Sequence, residues 1–245
     1  MLRTSNPALG DKTFSLRAAQ GEESMTIQGT VNKSAILIGL LIVSGAVSWS
    51  QYMSGASAMI FIIAGGIGGL IAALVTIFKK EWSPITAPIY AVFEGLLLGG
   101  VSAIAEQQFS GIVLQAVMLT VGTFVALLAA YRSGLIKATE NFKLGIFAAT
   151  GAVGLLYLSS FVLGLFGVEM SFMHDSSWLS IGISLVIVVI AALNLVLDFD
   201  FIEHGAETKA PKYMEWYAAF GLILTLVWLY LEILRLLIKL NSSRD

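Results

Sequence analysis

The chain has no cysteine, which excludes disulfides, thiol catalysis and cysteine metal sites. Its two histidines, His174 and His204, fall in polar links far apart in the sequence, and no HExxH pattern occurs, so zinc protease chemistry has no footing. A glycine-rich phosphate loop and a nucleophile elbow are also missing. No lysine lies in the middle of an apolar run, which leaves nothing for a retinal-type Schiff base. These absences together speak against an enzyme. Charge is scarce as well. Fourteen basic residues stand against sixteen acidic ones, a net charge of -2, so there is no basic excess for a nucleic-acid partner. Only 12% of the 245 residues are charged while 57% are apolar, and a soluble chain of this length needs far more polar surface to cover its core.

What the sequence has instead is long apolar runs. A membrane-spanning helix needs about 20 such residues, and runs of that kind are centred on roughly 34–50, 58–78, 84–105, 112–130, 142–166, 179–199 and 216–238. The links between them are short and rich in glycine, serine, lysine or acidic groups, as tight helix connections are. This predicts an all-α membrane protein with seven transmembrane helices and no separate soluble domain. Residues 1–33 read as a flexible cytoplasmic tail, 34–240 as the seven-span bundle and 241–245 as a short C-terminal tail. The tail mixes Arg3, Lys12, Arg17 and Lys33 with Asp11, Glu22 and Glu23 ahead of the first apolar run, which is not the layout of a cleavable signal.

Basic residues alternate between links. The N-terminal tail has four, 79–83 has Lys79 and Lys80, 131–141 has Arg132 and Lys137, and 200–215 has Lys209 and Lys212; 51–57, 106–111 and 167–178 have none. Positive charge marks the cytoplasmic side, so the N-terminus is expected there, in a plasma membrane. Seven crossings then place Lys239 and Arg244 outside. Either two basic residues are tolerated there or the last segment re-enters without crossing. Trp49, Trp82, Trp178 and Trp216 sit at span ends, where interfacial anchors belong. Small residues at spacing four (Gly65 and Gly69, Gly95 and Gly99, Ser180 and Ser184) let helices approach closely in lipid, where packing replaces the hydrophobic effect; a glycine hinge is the other reading.

An ionisable group in hydrocarbon costs about 2.5–3.5 kcal/mol on the most lenient scale, so charges inside spans are the best pointers to function. Glu94 lies ten residues beyond Pro84, about 15 Å along a helix and near the bilayer centre. It is either a functional carboxylate or a protonated one bonded to a neighbouring helix. Asp198 and Asp200 end the sixth span. Two residues apart, they face different ways on a helix; Asp198 can point into the bundle, while Asp200 suits the interface. Glu232 and Arg235, at i and i+3 in the last span, can neutralise each other. A site of buried carboxylates can hold a proton at low pH and a cation at higher pH, because burial and like-charge neighbours both disfavour ionisation. Calcium, which seeks several hard oxygens, is the natural cation.

The stretch Ala87-Pro88-Ile89-Tyr90-Ala91-Val92-Phe93-Glu94-Gly95-Leu96-Leu97-Leu98-Gly99, the run Asn194 to Glu203 and the stretch Leu231-Glu232-Ile233-Leu234-Arg235-Leu236-Leu237 resemble the Bax inhibitor family (transmembrane Bax inhibitor motif proteins), in its bacterial YccA-like branch. With the seven spans, the resemblance covers about residues 34–240. It implies a seven-helix bundle with the last helix central. It also implies a proton-sensitive latch of two aspartates over a calcium leak path. Asp198 takes the first of those positions. The second falls near Thr225, which cannot ionise, so Glu94 is inferred as the carboxylate partner, with Thr225 as a neutral hydrogen-bonding ligand. Calcium is thereby expected at Asp198 and Glu94, bound transiently, with no other cofactor. The lipid bilayer, calcium and protons are the partners expected, in a bacterial inner membrane. Some members of the family are thought to restrain a membrane-anchored AAA protease, and a non-conducting regulator of that kind, acting through the N-terminal tail, is the alternative function. A proton-coupled transporter fits less well, because no internal repeat is visible.

Overall fold

Thr26 opens the first helix. Its backbone is extended (φ -131°, ψ 151°) and its hydroxyl accepts the Gly29 amide at 2.9 Å, which satisfies one of the free amides of a helix start. In the computed structural model, which describes residues 23–167, 175 and 177–243, seven α-helices follow: α1 (Ile27–Met53), α2 (Ala58–Phe78), α3 (Ser83–Gln108), α4 (Ile112–Arg132), α5 (Glu140–Leu165), α6 (Trp178–Glu207) and α7 (Met214–Ser242). A single 3-10 turn, Lys80–Trp82, joins α2 to α3. All seven are long and apolar enough to cross a membrane. Among the described residues the only extended pairing is an isolated bridge of Ser24 with Pro211, where the Met25 amide donates to the Ala210 carbonyl at 2.7 Å.

Several boundaries differ from the sequence reading, three of them at polar residues. The first helix begins at Ile27 rather than near Ser34, so 27–33 belong to the bundle and not to a tail. The Thr26 cap fixes that start, and Gln28 donates to Asn32 one turn on at 3.0 Å, so polar side chains do not interrupt the helix. The sixth helix runs on to Glu207, which places Asp200, Glu203 and His204 on a helix instead of in a link. The last helix continues to Ser242, into the segment read as a C-terminal tail. His174, Arg244 and residues 1–22 lie outside the described residues.

The chain divides into two compact units. The first contains the residues up to Ile104 together with Asp200–Ile223; the second contains Ala105–Phe199 and the chain from Leu224 onward. In the first unit, α3 packs backbone to backbone against both α1 and α2. A Cβ at Gly95 would collide with the Leu41 carbonyl and the Ser44 hydroxyl, and one at Gly99 with the Gly45 carbonyl and the Ser48 hydroxyl. A Cβ at Gly65 would stand 2.5 Å from the Phe93 carbonyl oxygen and 2.6 Å from the Leu97 nitrogen. The glycine pairs are therefore contact surfaces of the kind lipid-embedded helices use. Thr76 and Thr86 bridge α2 and α3 at 2.7 Å, and the Tyr90 and Phe220 rings meet edge-on at 5.0 Å.

The second unit is assembled differently. Glu106 caps the start of α4, accepting the Gly111 and Val113 amides at 2.6 and 3.1 Å. Gly111 sits at φ +83°, a conformation that side chains other than glycine resist. Phe199 stacks obliquely with Phe124 and Tyr131 at 5.7 and 5.8 Å. Asn194 of α6 donates to the Thr150 hydroxyl of α5 at 2.8 Å.

Candidate functional site

Two hydrogen-bonded pairs set the register of α6 against α7 in the second unit. The Thr225 hydroxyl bonds the Asp198 carboxyl, and the Lys239 ammonium donates to the Ser184 hydroxyl at 2.9 Å. Asp198 and Ser184 are fourteen residues apart on α6, and Thr225 and Lys239 are fourteen apart on α7, about 21 Å on each helix. Equal spacing on antiparallel helices means one continuous seam. Seven residues are nearly two turns, with a drift of about 20°, so Thr225, Glu232 and Lys239 line one face of α7. The same register puts Ala191, fully buried on α6, level with Glu232.

At one end of this seam stands Asp198. One side of its carboxyl meets Thr225; the other oxygen, Oδ2, is closed off from solvent and has no hydrogen-bond partner. A carboxylate accepts hydrogen bonds at both oxygens, and a buried polar atom left unpaired is uncommon and calls for a cause. A proton carried on that oxygen or a cation beside it would supply one.

Glu232 occupies the middle and is only 2% exposed. Its Oε1 accepts from the Tyr157 hydroxyl at 2.6 Å and from the Trp228 indole at 3.1 Å, and its Oε2 faces Arg235 at 3.4 Å. Arg235 also donates to the Tyr157 hydroxyl at 2.5 Å and lies over that ring. The carboxylate is thus satisfied on both oxygens. It is a neutralised structural centre rather than an open one.

Lys239, 7% exposed, closes the seam at the far end. Besides Ser184 it donates to the Ser180 hydroxyl at 2.7 Å. Ser180 and Ser184 are hydrogen-bond acceptors for a buried ammonium. This corrects one expectation: Lys239 is not an exposed basic residue beyond the last span but a buried one on α7. The C-terminus of a helix also favours a cation.

The other candidates belong to the first unit. Glu94 is half-buried on α3, and its Oε2 rests against Gly69 of α2, where a Cβ would come within 2.9 Å. The second glycine of the α2 pair therefore makes room for this carboxylate. Asp200 falls in the first unit and Asp198 in the second. A further carboxylate, Glu215, lies on the first turn of α7, where the sequence reading places a link. It is fully buried and accepts the amide and hydroxyl of Thr26 at 3.0 and 2.9 Å, with Lys212 at 3.2 Å and Lys33 at 4.0 Å. Gly29 leaves the space it fills. Lys212 is held charged to higher pH than an ordinary lysine by its hydrogen bond to Glu215. Among the described residues, no three histidine or carboxylate side chains cluster as metal ligands.

Seven apolar helices with polar groups turned inward define a polytopic integral membrane protein. The chain matches the model of one family over residues 6–242 and belongs to it: Bax inhibitor 1 like. No curated protein and no solved structure matched the chain significantly.

Proposed function

We propose that this protein is a pH-sensitive leak channel for calcium and other cations, with Asp198 as the group that a proton or a cation occupies. The observation that carries the reading is the buried, unpartnered Oδ2 of Asp198 beside the Thr225 hydroxyl. Protonation turns that oxygen into a donor; a cation satisfies it without one. Two oxygens from Asp198 and Thr225 are far fewer than the six to eight that calcium takes in a dedicated site, so binding is transient, as a leak requires. Glu94, in the first unit, is a second carboxylate within a span, and Asp200 an interfacial charge. The alternation of Lys79, Lys80, Arg132, Lys137, Lys209 and Lys212 with links free of positive charge supports a cytoplasmic N-terminus, and we assign the protein to a bacterial plasma membrane.

The test is calcium entry into liposomes carrying the purified protein, followed over a pH series. Wild type should admit calcium with a flux that changes with pH. Asp198→Asn should remove most of that pH dependence, and Glu94→Gln should reduce flux. An unchanged pH profile in Asp198→Asn would overturn the site. A protein that passes no calcium, yet retains a membrane-anchored AAA protease until residues 1–22 are deleted, would establish the regulator function in its place.

A further inference from the structure

From the seam between α6 and α7 we infer that Lys239 is a valence filter, a fixed positive charge that holds back divalent cations more than monovalent ones. The inference rests on the leak reading, because it needs ions to travel along the seam. The placement comes from hydrogen bonds alone. Asp198 with Thr225 and Ser184 with Lys239 mark the two ends of one helix–helix contact, about 21 Å apart, with Glu232 between them. Polar groups are expensive in hydrocarbon and mark the routes that ions and protons take. Here they recur along a single face.

The charges around Lys239 leave its field in place. Glu232 and Arg235 neutralise each other across 3.4 Å. Asp175, which also lies within electrostatic range of Lys239, is exposed, so solvent and salt screen it. Lys239 itself is buried and bonded to two neutral hydroxyls, whose dipoles temper its charge without cancelling it. Its ammonium therefore acts at close range on any ion that passes along the seam.

Coulomb energy is proportional to the charge of the moving ion. The barrier felt by a divalent cation is twice that felt by a monovalent one, and the rate factor is squared. A fixed lysine that slows potassium about threefold thus slows calcium about tenfold. No general packing defect produces that relation. It also distinguishes Lys239 from a residue that merely anchors α7.

The experiment compares calcium and potassium flux in liposomes for wild type, Asp198→Asn, Lys239→Met, Lys239→Arg and Ser184→Asp. Lys239→Met removes the charge and keeps most of the stem. Ser184→Asp keeps the lysine and neutralises it in place, which covers the case where the methionine variant does not fold. Both should raise calcium flux about tenfold and potassium flux about threefold, while Lys239→Arg keeps the wild-type ratio. Equal increases for the two ions, or no increase in either neutralising variant, would overturn the filter. If Asp198→Asn abolishes the pH dependence of the flux while the calcium-to-potassium ratio stays fixed in the Lys239 and Ser184 variants, the filter fails and the leak reading stands. A wild type that passes neither ion, with no flux in Lys239→Met or Ser184→Asp, would overturn the leak reading and the filter with it.

Discussion

The two units use their helical glycines in opposite ways. In the first, Gly45, Gly65, Gly68, Gly95, Gly99 and Gly100 each face another helix so closely that an added Cβ would meet it within 3.2 Å. In the second, Gly122, Gly145, Gly151, Gly154, Gly164 and Gly182 have no protein atom within 4 Å of where a Cβ would stand. The first unit is thus held by helices in backbone contact, the second by side chains that reach across: Tyr157 to Glu232, Asn194 to Thr150, Lys239 to Ser180 and Ser184. Close contact of backbones leaves little room for an ion. A seam filled by polar side chains can exchange partners, and that is where the site proposed for ion passage lies.

The comparison is most easily broken with a single added side chain. Gly99→Val should cost about 3 kcal/mol or more, since a core without free volume must shift to admit it, and should yield little folded protein on size exclusion in detergent. Gly151→Val, on α5, should stay within about 0.5 kcal/mol of wild type in thermal unfolding. Similar damage from both would end the distinction.

Next in size is the buried carboxylate that fastens the start of α1 to that of α7. Glu215→Ala removes the acceptor for the Thr26 amide and hydroxyl and should cost about 2 kcal/mol. Hydrogen exchange should show it first at Thr26 and leave α5 unchanged; uniform loss of protection along the chain would show that the effect is not local. The partner Lys212 gives this contact a pH signature. Its pKa is raised above the ordinary 10.5, so its contribution is complete below that pH and is lost as pH rises through the higher folded value. Unfolding of Lys212→Met and of wild type should therefore converge at strongly alkaline pH.

The smallest effect sharpens the account of the second unit. Tyr157→Phe removes one donor from Glu232 and should cost about 1 kcal/mol, as should Ser184→Ala at Lys239. Made together, they should add, because the sites share no partner; a large coupling in a double-mutant cycle would mean the seam acts as one network.

Seven helices were legible because apolar length is a coarse property that a bilayer reads in the same way. The pairs Gly65 with Gly69 and Gly95 with Gly99 were legible for a related reason, since spacing four fixes a face. Which glycines actually meet a neighbour was not. Gly151 and Gly95 look alike in the sequence, and the difference lies in the helix opposite. The same limit hid Lys239. Its position near the end of an apolar run suggested a solvent-exposed charge, and only the register with α6 brings Ser180 and Ser184 to it. The spacing of Thr225, Glu232 and Lys239 is visible in the sequence and could have exposed the polar face of α7. Glu215 is not legible because the sequence does not distinguish the first turn of α7 from the link before it. Thr225 follows from a family resemblance, and the structure shows its hydroxyl bonded to Asp198.

The polar face of α7 has a consequence for how the chain enters the membrane. Lys239 is relieved of the cost of hydrocarbon by hydroxyls on α6, and Glu232 in part by Tyr157 of α5. Alone, α7 is a poor passenger for the insertion machinery; beside α6 it presents lipid with apolar sides. The two helices are separated by only six residues, 208–213, so they can enter as a hairpin. The order of biogenesis is then partly encoded in a register of hydrogen bonds.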